Sequence, residues 1–318
     1  MLLLSLGCFA QEKINSFFFD TRATFHQEVT DGNYGSQFRG DHLNIHILGN
    51  ISPTVNYRFR HSFSKKQYDE NNLLNATDIL YFNWKPDDHW SFLFGKYAVL
   101  IGGYEYDAAP IDVYFYSMFC SKIYQGFTFG GSATYHFNEK QSVVAQICNS
   151  PLSKGNSGIY AYNLAWNGHI APWWSTIWSV NMVEDTRNKF INYISLGNHF
   201  SNEHVMLDLD IMNRAAIGQK NFLFSDMSII SKFIWSIGDW NICAKAGYEW
   251  NEASNVDSAG DAYDVVIAPG TEYAYGGCGM EWFPMGRDKV RLHAVYYRDN
   301  SLRKNNIEIG LTWKIRVI

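Results

Sequence analysis

Gly102–Ile123 reads GGYEYDAAPIDVYFYSMFCSKI. The stretch is long and aromatic, carries Glu105, Asp107 and Asp112, and is broken by Pro110. Before it runs HWSFLFGKYAVLI (89–101), and after it YQGFTFGGSATYHF (124–137). Both flanks mix polar and apolar residues with a period of two, the mark of strands with two different faces. A connection this long between two strands is usually functional or disordered. It holds too much Tyr, Phe, Ile and Val for disorder. Two readings remain for the stretch alone. One is a surface loop packed on its own aromatics; the other is a segment folded into the mouth or lumen of a β-barrel, narrowing a pore. The rest of the chain favours the second.

The same alternation recurs along the chain, in about sixteen segments bounded by turn residues. The first is Phe17–Thr30, with Asp20, Arg22, Thr24, His26 and Glu28 as its polar set; the second lies near Arg39–Ile51 and the third at Thr54–Ser64. The last, Asn306–Val317, sets Ile307, Ile309, Leu311, Trp313 and Ile315 against Glu308, Thr312, Lys314 and Arg316. Connections alternate in length. Asn50–Pro53, Pro86–Asp88, Asn138–Gln141, His169–Pro172, Ser201–Glu203 and Gly238–Asp239 are short. Asp31–Gln37, Lys65–Asn75, Gly102–Ile123, Ser150–Gly158, Ala215–Asp226 and Ser254–Glu272 are longer and more polar. Short turns at one end and long loops at the other, with an even strand number, is the arrangement of an up-and-down outer-membrane barrel. Sandwiches and propellers have no reason to keep that rhythm. The apolar face would meet lipid and the polar face a water-filled lumen, where charges need no buried partners. Trp84, Trp90, Trp174, Trp282 and Tyr296, near strand ends, suit interfacial girdles.

Composition agrees. The 318 residues are 17% aromatic but only 18% charged, with 7 prolines and a mean hydropathy of −0.23. No window reaches the roughly 20 apolar residues of a membrane helix, and no long amphipathic helical pattern occurs. The net charge of −5 argues against a nucleic-acid partner. Residues 1–10, MLLLSLGCFA, read as the remnant of a secretory signal cut after Ala10, and 11–318 as one barrel domain. Cys120, Cys148, Cys243 and Cys278 have no metal-binding spacing. All four are expected as free thiols, with Cys120–Cys148 the one pairing worth checking.

Several segments resemble the outer-membrane porins of the phosphate-selective porin O/P type, in the shorter form found in Bacteroidota. They are FGKYAVLIGGYEYDAAPIDVYFYS, AQICNSP, IYAYNLAWNG, WSVNMVED, FINYISLGN and DIMNRA. The resemblance runs from about Thr77 to the C-terminus. It implies a sixteen-stranded porin of the bacterial outer membrane, assembled as a homotrimer with the third loop folded inward. It also implies outer-membrane lipid, the barrel-assembly machinery, and small solutes or ions as partners. Anion-preferring family members resemble one another in a ladder of lumen arginines. This chain departs from that pattern: Arg22, Arg58, Arg60, Lys232, Lys245 and Arg291 mix with Asp20, Glu28, Asp208, Asp210, Glu249 and Glu281. Phosphate preference therefore does not follow.

The candidate site residues are electrostatic. Glu105, Asp107 and Asp112 come from the inward stretch, Arg22, Arg58 and Arg60 from the first and third strands, and Arg291 and Lys314 from the closing strands. Opposed charge across a narrow aqueous gap orders the field and selects solutes by charge and dipole. The alternative is dispersed solvated charge with no shared constriction. No catalytic set, metal or cofactor is expected. His42 and His46 share a face without a third ligand. Asp208 and Asp210 point in parallel and read as a solvated pair rather than converging acids. No G-x-S-x-G elbow occurs. Gly102–Gly103 reads as a bend rather than a phosphate cradle, since no helix is expected after it. The expected function is passive diffusion of small hydrophilic solutes or ions, with phosphate among the candidates, and no enzyme activity. The rival is a barrel plugged by its loops that serves as a binding or assembly component.

Overall fold

The computed structural model describes residues 13–30, 33–67, 74–123, 126–153, 158–187, 189–263, 266–300 and 303–318. The expected signal remnant lies outside them. Sixteen strands form one closed antiparallel sheet in which every strand pairs with its neighbours in sequence. They are β1 Lys13–Thr30, β2 Asn33–Ser52, β3 Val55–Ser62, β4 Thr77–Trp84, β5 Trp90–Ala98, β6 Phe127–Asn138, β7 Gln141–Asn149 and β8 Tyr160–Ala171. The second half comprises β9 Trp174–Glu184, β10 Phe190–Ser201, β11 Val205–Ala216, β12 Asp226–Ile237, β13 Trp240–Asn251, β14 Thr271–Trp282, β15 Val290–Asp299 and β16 Asn305–Arg316. The seam is β1 on β16, in register from Phe18 opposite Arg316 to Val29 opposite Asn305. Closure leaves no strand edge for another chain to extend along the seam.

Alternation sorts the residues as the sequence suggests. On β16, Ile309 is 55% exposed on the outer face while Glu308 is 0% exposed within. Phe82, Phe94, Leu164, Val180, Ile242 and Ile315 continue the exposed apolar belt, which in water would be an unusually large open patch. Toward the short-turn end the belt turns aromatic. Trp240 stacks on Trp282 at 5.6 Å, Trp84 lies 5.5 Å from Phe92, and Trp174 lies 5.8 Å from Phe200.

Two expectations fail. The first long connection, Asp31–Gln37, is mostly strand: β2 begins at Asn33 and pairs with β1 through Tyr34 opposite Val29 and Phe38 opposite Phe25. The Phe25 and Phe38 rings meet at 5.1 Å, and cross-strand aromatic pairing offsets the poor strand propensity of the intervening Gly and polar residues. Second, the interior is not simply wet polar wall. A hydrophobic cluster inside the barrel gathers Val99, Ile101, Tyr106, Phe119, Ile123 and Tyr193. It forms around the stretch that connects β5 to β6. Cys120 and Cys148 both belong to this cluster, and all four described cysteines are free thiols.

Candidate pore constriction

The chain turns inward at Gly102 and Gly103, whose φ values are +86° and +95°. Such angles favour glycine, and space requires it too: a Cβ at Gly103 would stand 2.6 Å from Met212 Cε, and one at Gly102 would stand 2.6 Å from Ser179 Oγ. The Ser179 hydroxyl and Asn181 Nδ2 (3.0 Å) both donate to the Ile101 carbonyl, tying the turn to β9.

A one-turn helix follows, α1 Tyr104–Asp107, where the sequence predicts none. Its first N–H groups have no partner within the helix. Asp210 of β11 supplies one: its carboxylate accepts from the Tyr104 and Glu105 amides, each at 2.8 Å. Asp210 is thus 1% exposed and is not half of a solvated pair; Asp208 instead lies 2.6 Å from His199 Nδ1. A second short helix, α2 Met118–Ile123, is held the same way by Glu249, which accepts from Met118 N at 2.5 Å and Phe119 N at 3.0 Å and is 0% exposed. Inward charges therefore do have buried partners here. The inward segment brings backbone donors to them, and an anion at a helix N-terminus suits both the orphan amides and the helix dipole.

Between the helices lies a 3₁₀ turn at Pro110–Asp112, clamped by two arginines from neighbouring regions of the wall. Arg22 of β1 donates to the carbonyls of Ile111 (3.2 Å) and Val113 (2.9 Å). Arg291 of β15 donates to the Ile111 carbonyl and to Asp112, both at 2.9 Å, and lies 3.3 Å from Glu281. The two guanidinium groups lie 5.5 and 5.6 Å from the Tyr114 ring, whose hydroxyl donates to Glu281 at 2.6 Å. On the way back, Phe115 stacks on Tyr297 at 4.5 Å. Lys245 of β13 meets Glu105 at 2.5 Å and donates to the Phe115 carbonyl. The neck closes where Gly126 N donates to the Tyr106 hydroxyl at 3.1 Å. The segment thus leaves β5, crosses the interior to β1 and β15, and returns to β6.

Of the eight residues expected at a constriction, the fold brings together Glu105, Asp112, Arg22 and Arg291. Asp107 sits on the same segment, open to the lumen and without an ion pair among the described residues. The protein around it thins its solvation and raises its pKa above the ordinary aspartate value. The other three lie apart. Arg60 is 3.2 Å from Asp78 and packs over Phe127, Lys314 lies over Phe18 at 4.0 Å, and Arg58 makes no hydrogen bond or ion pair with the segment among the described residues. Alternation places Lys245, Asp210, Glu249 and Glu281 on lumen faces, but nothing local marks them as anchors. Their role exists only once the segment lies beside them. His42 sits 3.1 Å from Arg22 and His46 2.8 Å from Asp20, as polar wall residues.

The segment separates two cavities. One, of about 410 Å³, lies between it and the wall of β11–β15; the other, of about 420 Å³, lies against β6–β10. Tyr104 borders both.

Comparison with known proteins bears on this arrangement. No curated protein matches the chain. Among solved structures, OmpT of Vibrio cholerae, an outer membrane protein in its in-vitro folded trimer form, aligns with a TM-score of 0.61 at 10% identity, over 96% of this chain and 99% of that one. A loop-deletion mutant of the same protein gives 0.60 at 11% identity, over 96% and 99%. A mutant of the Rh. blastica porin gives 0.57 at 11% identity, covering 94% of this chain and all of that one. These likenesses concern the fold. The family model described as phosphate-selective porin O and P matches residues 11–176. That span holds the inward segment and the first half of the barrel, and the chain belongs to this family of outer-membrane porins.

Proposed function

We propose that the barrel is a passive diffusion pore for small hydrophilic solutes and ions, narrowed where segment 102–123 crosses it. The observation that carries this is the clamp of Arg22 and Arg291 on the segment tip: it holds an acidic strip inside a tube whose outer belt is apolar. Glu105, Asp107, Asp112, Arg22 and Arg291 form the narrow zone in this reading. Arg58, Arg60 and Lys314 line the wall away from it.

The charges of the narrow zone do not single out phosphate. Arg22, Lys245 and Arg291 are engaged by the segment's own carbonyls and carboxylates, which leaves no ladder of free cations among the described residues for an anion to descend. A homotrimer in lipid, delivered by the barrel-assembly machinery, fits a porin of this family. The test is conductance of purified, refolded protein in planar bilayers. Stepwise openings of uniform size are expected; a folded barrel that passes no current would overturn the pore.

A plugged barrel is the second reading, favoured by one observation. Val266 and Ile267, from the connection between β13 and β14, join the interior cluster formed by the inward segment. If they close the tube, current should appear only when that connection is shortened.

A further inference from the structure

The cavity between the inward segment and β11–β15 breaks the polar rule for a lumen. Residues 230, 232 and 234 of β12 share the inward face, and they read Ile, Lys, Ile. Met206 and Phe283 add apolar surface from β11 and the chain after β14. The acids that border the cavity are already engaged. Glu105 is held by Lys245, Asp112 and Glu281 by Arg291, Asp210 by two backbone amides, and Asp208 by His199. Lys245 and Arg291 are spent in those pairs, and Arg287 donates to Asn241 and to the Gly238 carbonyl. Lys232 differs. It stands opposite Asp208 on one side and Lys245 on the other, yet it makes no hydrogen bond or ion pair among the described residues. It is half-buried, with an apolar side chain one pleat away in each direction along its strand.

We propose that this cavity is a solute-binding subsite for amphipathic monocarboxylates, with Lys232 taking the carboxylate and Ile230, Ile234 and Met206 taking the apolar body. Alternate residues on a strand lie about 7 Å apart, the scale of a benzoate or hexanoate skeleton. A volume of about 410 Å³ falls within the range of small-molecule pockets. One free ammonium among engaged carboxylates suits a single negative charge. A phosphate dianion would find one cation, several like charges and apolar walls that cannot replace its hydration. The subsite rests on the pore reading for its role in transport, but not for its chemistry.

The experiment uses the intact refolded barrel and sodium benzoate. Benzoate should reduce single-channel current in a saturable way, and isothermal titration should show the same ligand binding to the detergent-solubilised protein. Affinity should rise from acetate to hexanoate, and inorganic phosphate should neither bind nor compete. Lys232→Gln should weaken benzoate by about tenfold or more, the scale of a charge-assisted hydrogen bond; Lys232→Arg should retain most of the binding. Ile234→Ser should flatten the dependence on chain length while leaving acetate unchanged. Removing Lys232 breaks no hydrogen bond or ion pair among the described residues, so these variants should fold, as checked by the heat-modifiable gel shift. A barrel that conducts but does not bind benzoate overturns the subsite and leaves the pore standing. One that binds benzoate but passes no current supports the subsite and overturns the pore. Equal benzoate affinity in Lys232→Gln, or phosphate binding as well as benzoate, also overturns the subsite.

Discussion

Asp210 shows how much one side chain can organise. Its two oxygens meet two backbone amides at the start of α1, and the helix has no side-chain cap of its own. Asp210→Asn would leave one acceptor and point an N–H group at another N–H. Losing such a cap costs about 1–2 kcal/mol. The barrel should remain folded, while amide exchange at Tyr104 and Glu105, followed by mass spectrometry, should speed up about 5–30-fold. Unchanged exchange would show that the carboxylate does not hold the helix. Asp107 is the complementary case. Its raised pKa means that it takes a proton before an ordinary aspartate does as pH falls. Reversal potentials under a salt gradient should therefore drift toward anion preference on acidification, beginning above the usual aspartate range, and Asp107→Asn should remove the early part of the drift. The sign for stability follows too. The fold disfavours the ionised form of this acid, so its protonation does not weaken the folded state.

Among the elements, the inward segment is held by tertiary contacts rather than by local propensity. Four residues, Tyr104–Asp107, cannot sustain a helix alone, which is why no local signal announced it. The same holds for Glu249 and Lys245, whose partners lie 130 or more positions away. Alternation did announce the strands, because lipid demands an apolar outer face on each of them. It also identified which charges point inward. It failed at the start of β2, where Gly35, Ser36 and Gln37 read as turn residues yet remain in register with β1. It also gave no warning of Ile230 and Ile234 on an inward face. Replacing Tyr106–Tyr116 by a short glycine linker should raise single-channel conductance. Arg22, Arg291 and Glu281 would then lose partners, and Lys245 its bond to the Phe115 carbonyl, but water would reach them in the widened lumen, so the barrel should still form. Unchanged conductance in a folded variant would mean that the segment does not limit flow.

For the whole molecule, the topology is about as simple as a closed sheet allows, since every strand pairs with its sequence neighbours. The segment inside it is the exception. Its anchors come from β1, β9, β11, β13 and β15, and the bond from Arg291 to Ile111 spans 180 positions in the chain. Those anchors stand around one space only after the Phe18–Arg316 seam has formed. Distant contacts cost loop entropy before they return anything, so the segment should settle last. The newborn barrel is then, for a short interval, a leak. Recording current while the protein refolds into a bilayer should reveal wide openings that step down to the mature size. A cell that inserts many copies would tolerate them because the constriction is carried by the same chain and needs no separate factor to arrive in time.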